Sequence, residues 1–340
     1  MFRKALSIVL AMLLLGTMGA CGSTQQTETT EDESTSAQEV PTKGFLKVLT
    51  LGHSLTVDSC HMLALVAKAE GYEGLHVGTL YDSGTPLSRH VDYLQRDAKG
   101  YSLYYSNTED VSGPPLVMDE VTMREALRYQ AWDLIVMQGG TFDLAAKTTF
   151  MDGNIQIIQK YVNEHKLNPN AVFAWHMPWA FATEQSLQNT FPRPDNNPYP
   201  KGYAAFGNDR LKLYEAIAKN VKEYILTDDT FQFLIPTGTA IENAMSSYLT
   251  EFDLIRDYAH ATDYGRLIAA YTWYCRLAGI EQLEDIQLTT IPKRFFKSTV
   301  GTEDRVLTDM EKAILIESVN NALKTQLEVT QSQYTEAPTQ

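Results

Sequence analysis

The stretch FLKVLTLGHSL, residues 45–55, sets the reading of the chain. Leu46, Val48, Leu49 and Leu51 make it a short apolar run, and Gly52-His53-Ser54 ends it abruptly. A run of that length closed by glycine is the pattern of a strand buried on both faces in a parallel sheet. Residues 59–70 follow with apolar positions at Met62, Leu63, Leu65, Val66 and Ala69, a helical stripe that Gly71 closes.

The alternation continues outward from there. Further strands are expected at 75–81, 132–138, 171–175 and 231–236, and helices at 123–129, 155–165, 211–224, 264–277 and 309–327. Strands separated by helices call for an α/β fold, here a three-layer α/β/α sandwich on a five-stranded parallel sheet of flavodoxin-like type. Two segments break the rhythm. Residues 96–116, containing YSLYYSNTED, read as a small β-hairpin insertion, and 191–203, FPRPDNNPYPKGY, form a Pro-rich loop too long for a plain connection.

The composition is that of a globular protein: 340 residues, 44% hydrophobic and 21% charged. It excludes a chain disordered throughout, a collagen-like chain and a coiled coil. The net charge of −14 argues against a nucleic-acid partner, because phosphate binding needs clustered Lys and Arg. The sequence contains no C-x-x-C and no H-E-x-x-H, so neither a metal site nor a cofactor is expected.

Residues 1–20 have the anatomy of an export signal: Arg3 and Lys4, an apolar run over 5–15, then Gly19-Ala20 before Cys21. Small residues directly before a cysteine resemble the cleavage box of bacterial lipoproteins, with Met18 where Leu is usual. That resemblance implies lipidation of Cys21 and a chain held by its lipid at the extracytoplasmic face of a bacterial membrane. An ordinary secretory signal with an incidental cysteine is the alternative. Residues 22–43 carry five acids against one Lys, with Val40 as the only large aliphatic side chain, and read as a disordered acidic tether. The folded domain is expected over 44–330 and a flexible tail over 331–340. Cys60 and Cys275 fall in apolar helical patterns and read as buried thiols; a bridge between them is the other arrangement.

In sheets of this kind ligands bind beyond the carboxyl ends of the strands, so the residues after each strand carry the functional reading. Gly52-His53-Ser54-Leu55 puts a serine on a strand-to-helix turn, where the helix N-terminus favours a developing oxyanion. Asp82-Ser83-Gly84 follows the second strand, with a glycine that permits close backbone approach to a ligand. Gln138-Gly139-Gly140-Thr141 follows the third strand. Asp257-Tyr258-Ala259-His260, a D-x-x-H, stands just before the 264–277 helix. Asp58 reads as a first-turn residue favoured by the helix dipole.

In that order, over roughly residues 45–280, these blocks resemble the SGNH (GDSL-like) hydrolase superfamily. They are closest to a branch whose first block reads G-N-S and whose third strand reads W-D-x-x-x-x-Q, as Trp132, Asp133 and Gln138 do here. The resemblance implies Ser54 as nucleophile, His260 as general base, and Asp257 as the group that fixes the imidazole. It also implies oxyanion donors from the Ser54 N–H, Gly84 and a third-block Asn. The Asn is missing, and the Gln138 amide or the Thr141 hydroxyl would stand in. His53 occupies the place of an Asp or Asn, either as a second base or as a side chain turned away from Ser54. His176 is a candidate substrate contact or a half-buried structural imidazole, and Trp179 and Tyr203, with Trp175, Phe181 and Tyr199, are either an aromatic wall for stacking a sugar or part of the core.

The function so implied is that of a surface-anchored serine esterase using an acyl-enzyme route without a cofactor. Anchor, tether and aromatic loop point to an acylated, chiefly acetylated, carbohydrate or small molecule as substrate. The other readings are an SGNH-fold lipoprotein that binds glycans with little or no turnover, and a solute-binding lipoprotein, which would show two lobes.

Overall fold

The computed structural model describes residues 45–183, 205–295 and 303–338. Within them Leu46–Gly52 forms the expected first strand (β1), buried at every residue except Lys47. It is joined by β2 (Leu75–Tyr81), β3 (Tyr101–Asn107), β4 (Leu116–Val121), β5 (Leu134–Met137), β6 (Val172–His176) and β7 (Phe231–Ile235) in one sheet of order β4-β3-β2-β1-β5-β6-β7. β1 pairs in parallel with β2 and β5, β5 with β6, and β6 with β7, so the five expected strands are parallel.

The sheet is nonetheless mixed and seven-stranded. β3 and β4 add antiparallel to the outer side of β2, so the expected hairpin insertion is an extension of the sheet itself. β4 is an edge: most of it is exposed, and Asp119 and Glu120 cut short its apolar start at Leu116, Val117 and Met118.

Around the sheet lie α1 (Ser54–Cys60), α2 (Leu63–Ala69), α3 (Leu87–Arg96), α4 (Met123–Leu127), α5 (Thr141–Ala145), α6 (Thr148–Met151), α7 (Asn154–His165), α8 (Arg210–Tyr224), α9 (Thr237–Met245), α10 (Glu251–Leu254), α11 (Asp263–Ala278) and α12 (Asp309–Lys324). The helix expected over 59–70 begins earlier, at Ser54, and is broken at residues 61 and 62 into α1 and α2.

Alternate strand residues face opposite sides of the sheet, and each side builds its own core. Val48, Val77, Leu134 and Val136 pack toward α1, α2, α9, α11 and α12. Leu49, Leu51, Leu80, Ile135 and Met137 pack toward α3, α5, α7 and α8. The result is the three-layer sandwich. Cys60 and Cys275 are both free and buried. No described helix is long and apolar enough to cross a membrane.

The tail expected to be flexible is docked over 331–334. Ser332 is buried, its N–H donates to Ser246 Oγ (2.8 Å), and the Tyr248 N–H donates to the Tyr334 carbonyl (2.8 Å). Polar side chains of the body satisfy this backbone, which a polar composition alone does not reveal. The signal segment 1–20, Cys21, the tether 22–43 and the Pro-rich 191–203 loop with Tyr199 and Tyr203 lie outside the described residues.

Gly78 on β2 shows how tightly the second core is filled. A Cβ there would sit 2.6 Å from the ring of Trp132, whose indole N–H is anchored to the Ala126 carbonyl (2.9 Å). Gly78→Ala is expected to lower stability by about 1–3 kcal/mol through overpacking, read as a fall in the urea midpoint with an unchanged slope.

Candidate active site

β1 has β2 on one side and β5 on the other, so the chain reverses its direction of sheet growth at the carboxyl end of β1. Such a switch point opens a crevice above the sheet. Ser54 stands there as the first residue of α1. The turn that carries it is built by two buried neighbours. His53 caps α1 with its ring Nδ1, which accepts the Leu55 N–H (3.4 Å). Gln138 Oε1 accepts the Thr56 hydroxyl and the His53 N–H from below. Burial pushes the His53 ring down to about 4, so it remains a neutral acceptor. His53 is a cap, and its Nδ1 is not available as a second base.

The D-x-x-H reaches the same rim from the far end of the chain. Asp257 Oδ1 accepts the backbone N–H groups of Ala259 and His260, both at 2.8 Å, closing a tight turn. Asp257 Oδ2 lies 2.9 Å from His260 Nδ1. Partial burial works to raise the Asp257 carboxyl, but the bonds from the His260 ring and from the two backbone N–H groups outweigh it and hold the group at about 2. The carboxylate is therefore charged and orients the imidazole. Trp179 supports the turn by donating its indole N–H to the Ala259 carbonyl (2.7 Å).

One ion pair brings the two segments together. Asp58, one turn after Ser54, is buried and accepts from Arg266 Nε (2.9 Å) and Nη2. Its other oxygen accepts the Ala261 N–H (2.9 Å) and Arg256 Nη1 (3.3 Å). The residue after His260 is thus tied directly to α1. Asp58 is the anchor between the two segments rather than only a first-turn partner of the helix dipole.

Ser54 and His260 accordingly line one cleft, of about 250 Å³, together with Val57, Asp58, His61, Tyr81, Tyr104, Pro114 and Arg256. Ser54 Oγ makes no hydrogen bond to a described residue, a looseness common before substrate binds. The Ser54 N–H, as the first of its helix, has no intrahelical partner. Gly84, on the turn after β2, adopts the left-handed region (φ +58°) that a side chain would strain. The Asp82 N–H bonds the Gly52 carbonyl (3.4 Å), which holds that turn beside the serine turn.

Other expected site residues stand elsewhere. Thr141 spends its hydroxyl on the Trp179 carbonyl (3.1 Å) and is buried, so it is not a free oxyanion donor. Gln138 is buried beneath the serine turn, with its Nε2 lacking a partner. His176 is fully buried, its ring edge-to-face with Trp273 and its Nε2 3.4 Å from Ser59 Oγ, and burial pushes it down to about 3. Trp175 and Trp179 are likewise fully buried. His176 and Trp179 are therefore structural and do not line the cleft; Tyr203 falls outside the described residues. The aromatic residues of the cleft are Tyr81 and Tyr104, which sequence reasoning missed because Tyr104 belongs to the sheet extension. Among the described residues no group of three or more His, Cys, Asp or Glu is arranged to hold a metal ion.

The family model described as "Domain of unknown function (DUF4886)" matches residues 47–288. No curated protein matches the sequence. The crystal structure of a DUF4886 family protein from Bacteroides uniformis is similar with a TM-score of 0.68 at 22% identity, covering 86% of this chain and 100% of that one. A protein from Slackia heliotrinireducens, described as a candidate SGNH hydrolase, is similar with a TM-score of 0.40 at 16% identity, covering 68% of this chain and 98% of that one.

Removing the Asp58 carboxylate leaves Arg266 charged in a site with no solvent exposure. Asp58→Ala is expected to cost about 3–5 kcal/mol, measured by urea or thermal unfolding.

Proposed function

The chain belongs to the DUF4886 family, and within that family we propose that it is a serine esterase of the SGNH type. The observation that carries the reading is a single cleft lined by Ser54 and by a His260 whose Nδ1 is held by the charged Asp257.

His260 Nε2 takes the proton of Ser54 Oγ as that oxygen adds to the ester carbonyl. The Ser54 N–H and a donor from the turn at Gly84 are proposed to take the developing oxyanion. Collapse of the tetrahedral intermediate expels the alcohol, protonated by His260, and leaves an acyl group on Ser54. Water, deprotonated by His260, then adds to the acyl carbonyl, and the acid leaves as Ser54 regains its proton. No step of this route calls for a cofactor. The acyl group is proposed to be small, such as acetyl, and the alcohol part a carbohydrate. The chain is further proposed to work at the extracytoplasmic face of a bacterial membrane, held by a lipid on Cys21.

A second reading is a weak catalyst or a glycan-binding protein of the same fold. It is favoured by the third oxyanion position, where the Thr141 hydroxyl is committed to Trp179 and the Gln138 amide is buried. Loss of one donor typically costs about 10²–10³ in rate. A solute-binding lipoprotein would need two lobes, and one continuous seven-stranded sheet does not favour it.

The full chain is expected to hydrolyse p-nitrophenyl acetate. Ser54→Ala should lower kcat by about 10³-fold or more, and Asp257→Asn by about 10³–10⁴-fold through the wrong imidazole tautomer. Activity that survives Ser54→Ala removes the nucleophile assignment, and no hydrolysis of any ester favours the binding reading. For the anchor, palmitate labelling in a bacterial host is expected for the natural chain and should disappear in Cys21→Ser.

A further inference from the structure

The cleft has two unlike sides. Along its floor run Ser54, Val57, Asp58 and His61, spaced as one face of a helix and its last turn. On the sheet side stand Tyr81, Tyr104 and Pro114. Gly52 is opposite Tyr81 on β1, Tyr81 is opposite Ser102 on β3, and Thr79 is opposite Tyr104. The period-two alternation of strands therefore puts both tyrosines on the same face of the sheet. Their rings meet edge to face at 6.1 Å. Tyr104 comes from β3, and Pro114 from the turn before β4, whose next residue accepts the Tyr105 N–H (3.0 Å). The antiparallel extension thus supplies most of one wall.

The rest of the lining is polar. His260 stands there with Arg256. Arg256 donates from Nη1 to Asp58 and to the Ala261 carbonyl, and its Nε lies 4.0 Å from Asp257 Oδ2. Its Nη2 makes no hydrogen bond to a described residue, and the side chain keeps some exposure. Asp58, in contrast, has both oxygens occupied by Arg266, Arg256 and Ala261 and offers the cleft no free acceptor.

Aromatic rings and hydrogen-bond donors lining one cleft suit a ring with one apolar face and a rim of oxygen acceptors. That is the chemistry of a pyranose. The part of the cleft lined by described residues, about 250 Å³, is on the scale of one such ring. We infer that the antiparallel β3–β4 extension is the specificity element of this site: it lays the sugar ring of the substrate against Tyr104 and Tyr81, within reach of the free Nη2 of Arg256. This rests on the esterase reading above and names where its alcohol part sits.

Binding is measured on the full chain carrying Ser54→Ala, so that turnover plays no part. The probes are the methyl glycosides of xylose, glucose and galactose, titrated by calorimetry. At least one is expected to bind saturably. Adding Tyr104→Leu should weaken it about tenfold, whereas Tyr104→Phe, which keeps the ring, should bind as before. Saturation-transfer NMR on the natural chain needs no variant, and the strongest transfer should fall on protons of the sugar's apolar face. The inference is overturned if none of the three glycosides binds, if Tyr104→Leu binds as tightly as its parent, or if methyl cinnamate binds and the glycosides do not. Hydrolysis without sugar binding removes this inference alone, and sugar binding without hydrolysis removes the esterase reading alone.

Discussion

The Asp58–Arg266 ion pair is the constraint on which the rest of the site depends. Both groups are buried, Arg266 completely. A charge in such a place is costly unless its remaining hydrogen-bonding capacity is filled. Here it is filled by parts of the chain that must be positioned anyway: the Ala261 N–H and the Arg256 guanidinium, both from the segment that carries His260. The gain from the pair is chiefly one of placement. It fixes α1, whose first residue is Ser54, against the start of α11, whose preceding turn holds Asp257 and His260. Displacements of about 1 Å between reacting groups can cost ~10²-fold in rate, so an anchor one helical turn from the serine is where such a constraint is most effective.

The polar residues around this anchor divide into those that reach the cleft and those that hold its frame. His53, Gln138, Thr141 and Trp179 are all buried, and each uses a polar atom on backbone or on a neighbouring turn. They shape the serine turn and prop the D-x-x-H turn from below. The cleft itself takes its aromatic character from elsewhere, from the end of β2 and from β3. The parallel part of the sheet therefore positions Ser54 and the turn of Asp257 and His260, while Tyr104 and Pro114 of the antiparallel extension line the cleft beside Tyr81. This arrangement lets the edge vary without disturbing the proposed chemistry.

Comparison of individual residues shows why some parts of this were legible in advance. The five parallel strands are continuous apolar runs, and their helices carry a local stripe; both are properties of near neighbours in the chain. Asp257 and His260 bond within one turn, so their pairing also is local. Asp58 was misread, and the choice between core and cleft for His176 and Trp179 stayed open, for the opposite reason. Their environments are made by contacts with residues far along the chain: Arg266 for Asp58, Trp273 for His176 and Ala259 for Trp179. A side chain with an aromatic or ionisable head after a strand end can face the crevice or the core, and its own sequence neighbours do not decide which.

By itself, then, the amino-acid order determined the alternation of strands and helices, the layered class of the fold, the strand-end turns that hold Ser54 and Gly84, and the turn before a helix that holds the Asp257–His260 pair. These follow from periodicity and turn chemistry acting over a few residues. Only the tertiary structure decided that β3 and β4 complete the sheet, that Asp58 joins the two halves of the site, and that tyrosines of β2 and β3 rather than buried tryptophans line the cleft. Those outcomes depend on which distant surfaces become neighbours when two cores close on the two faces of one sheet, and a buried charge or ring is placed by that closure.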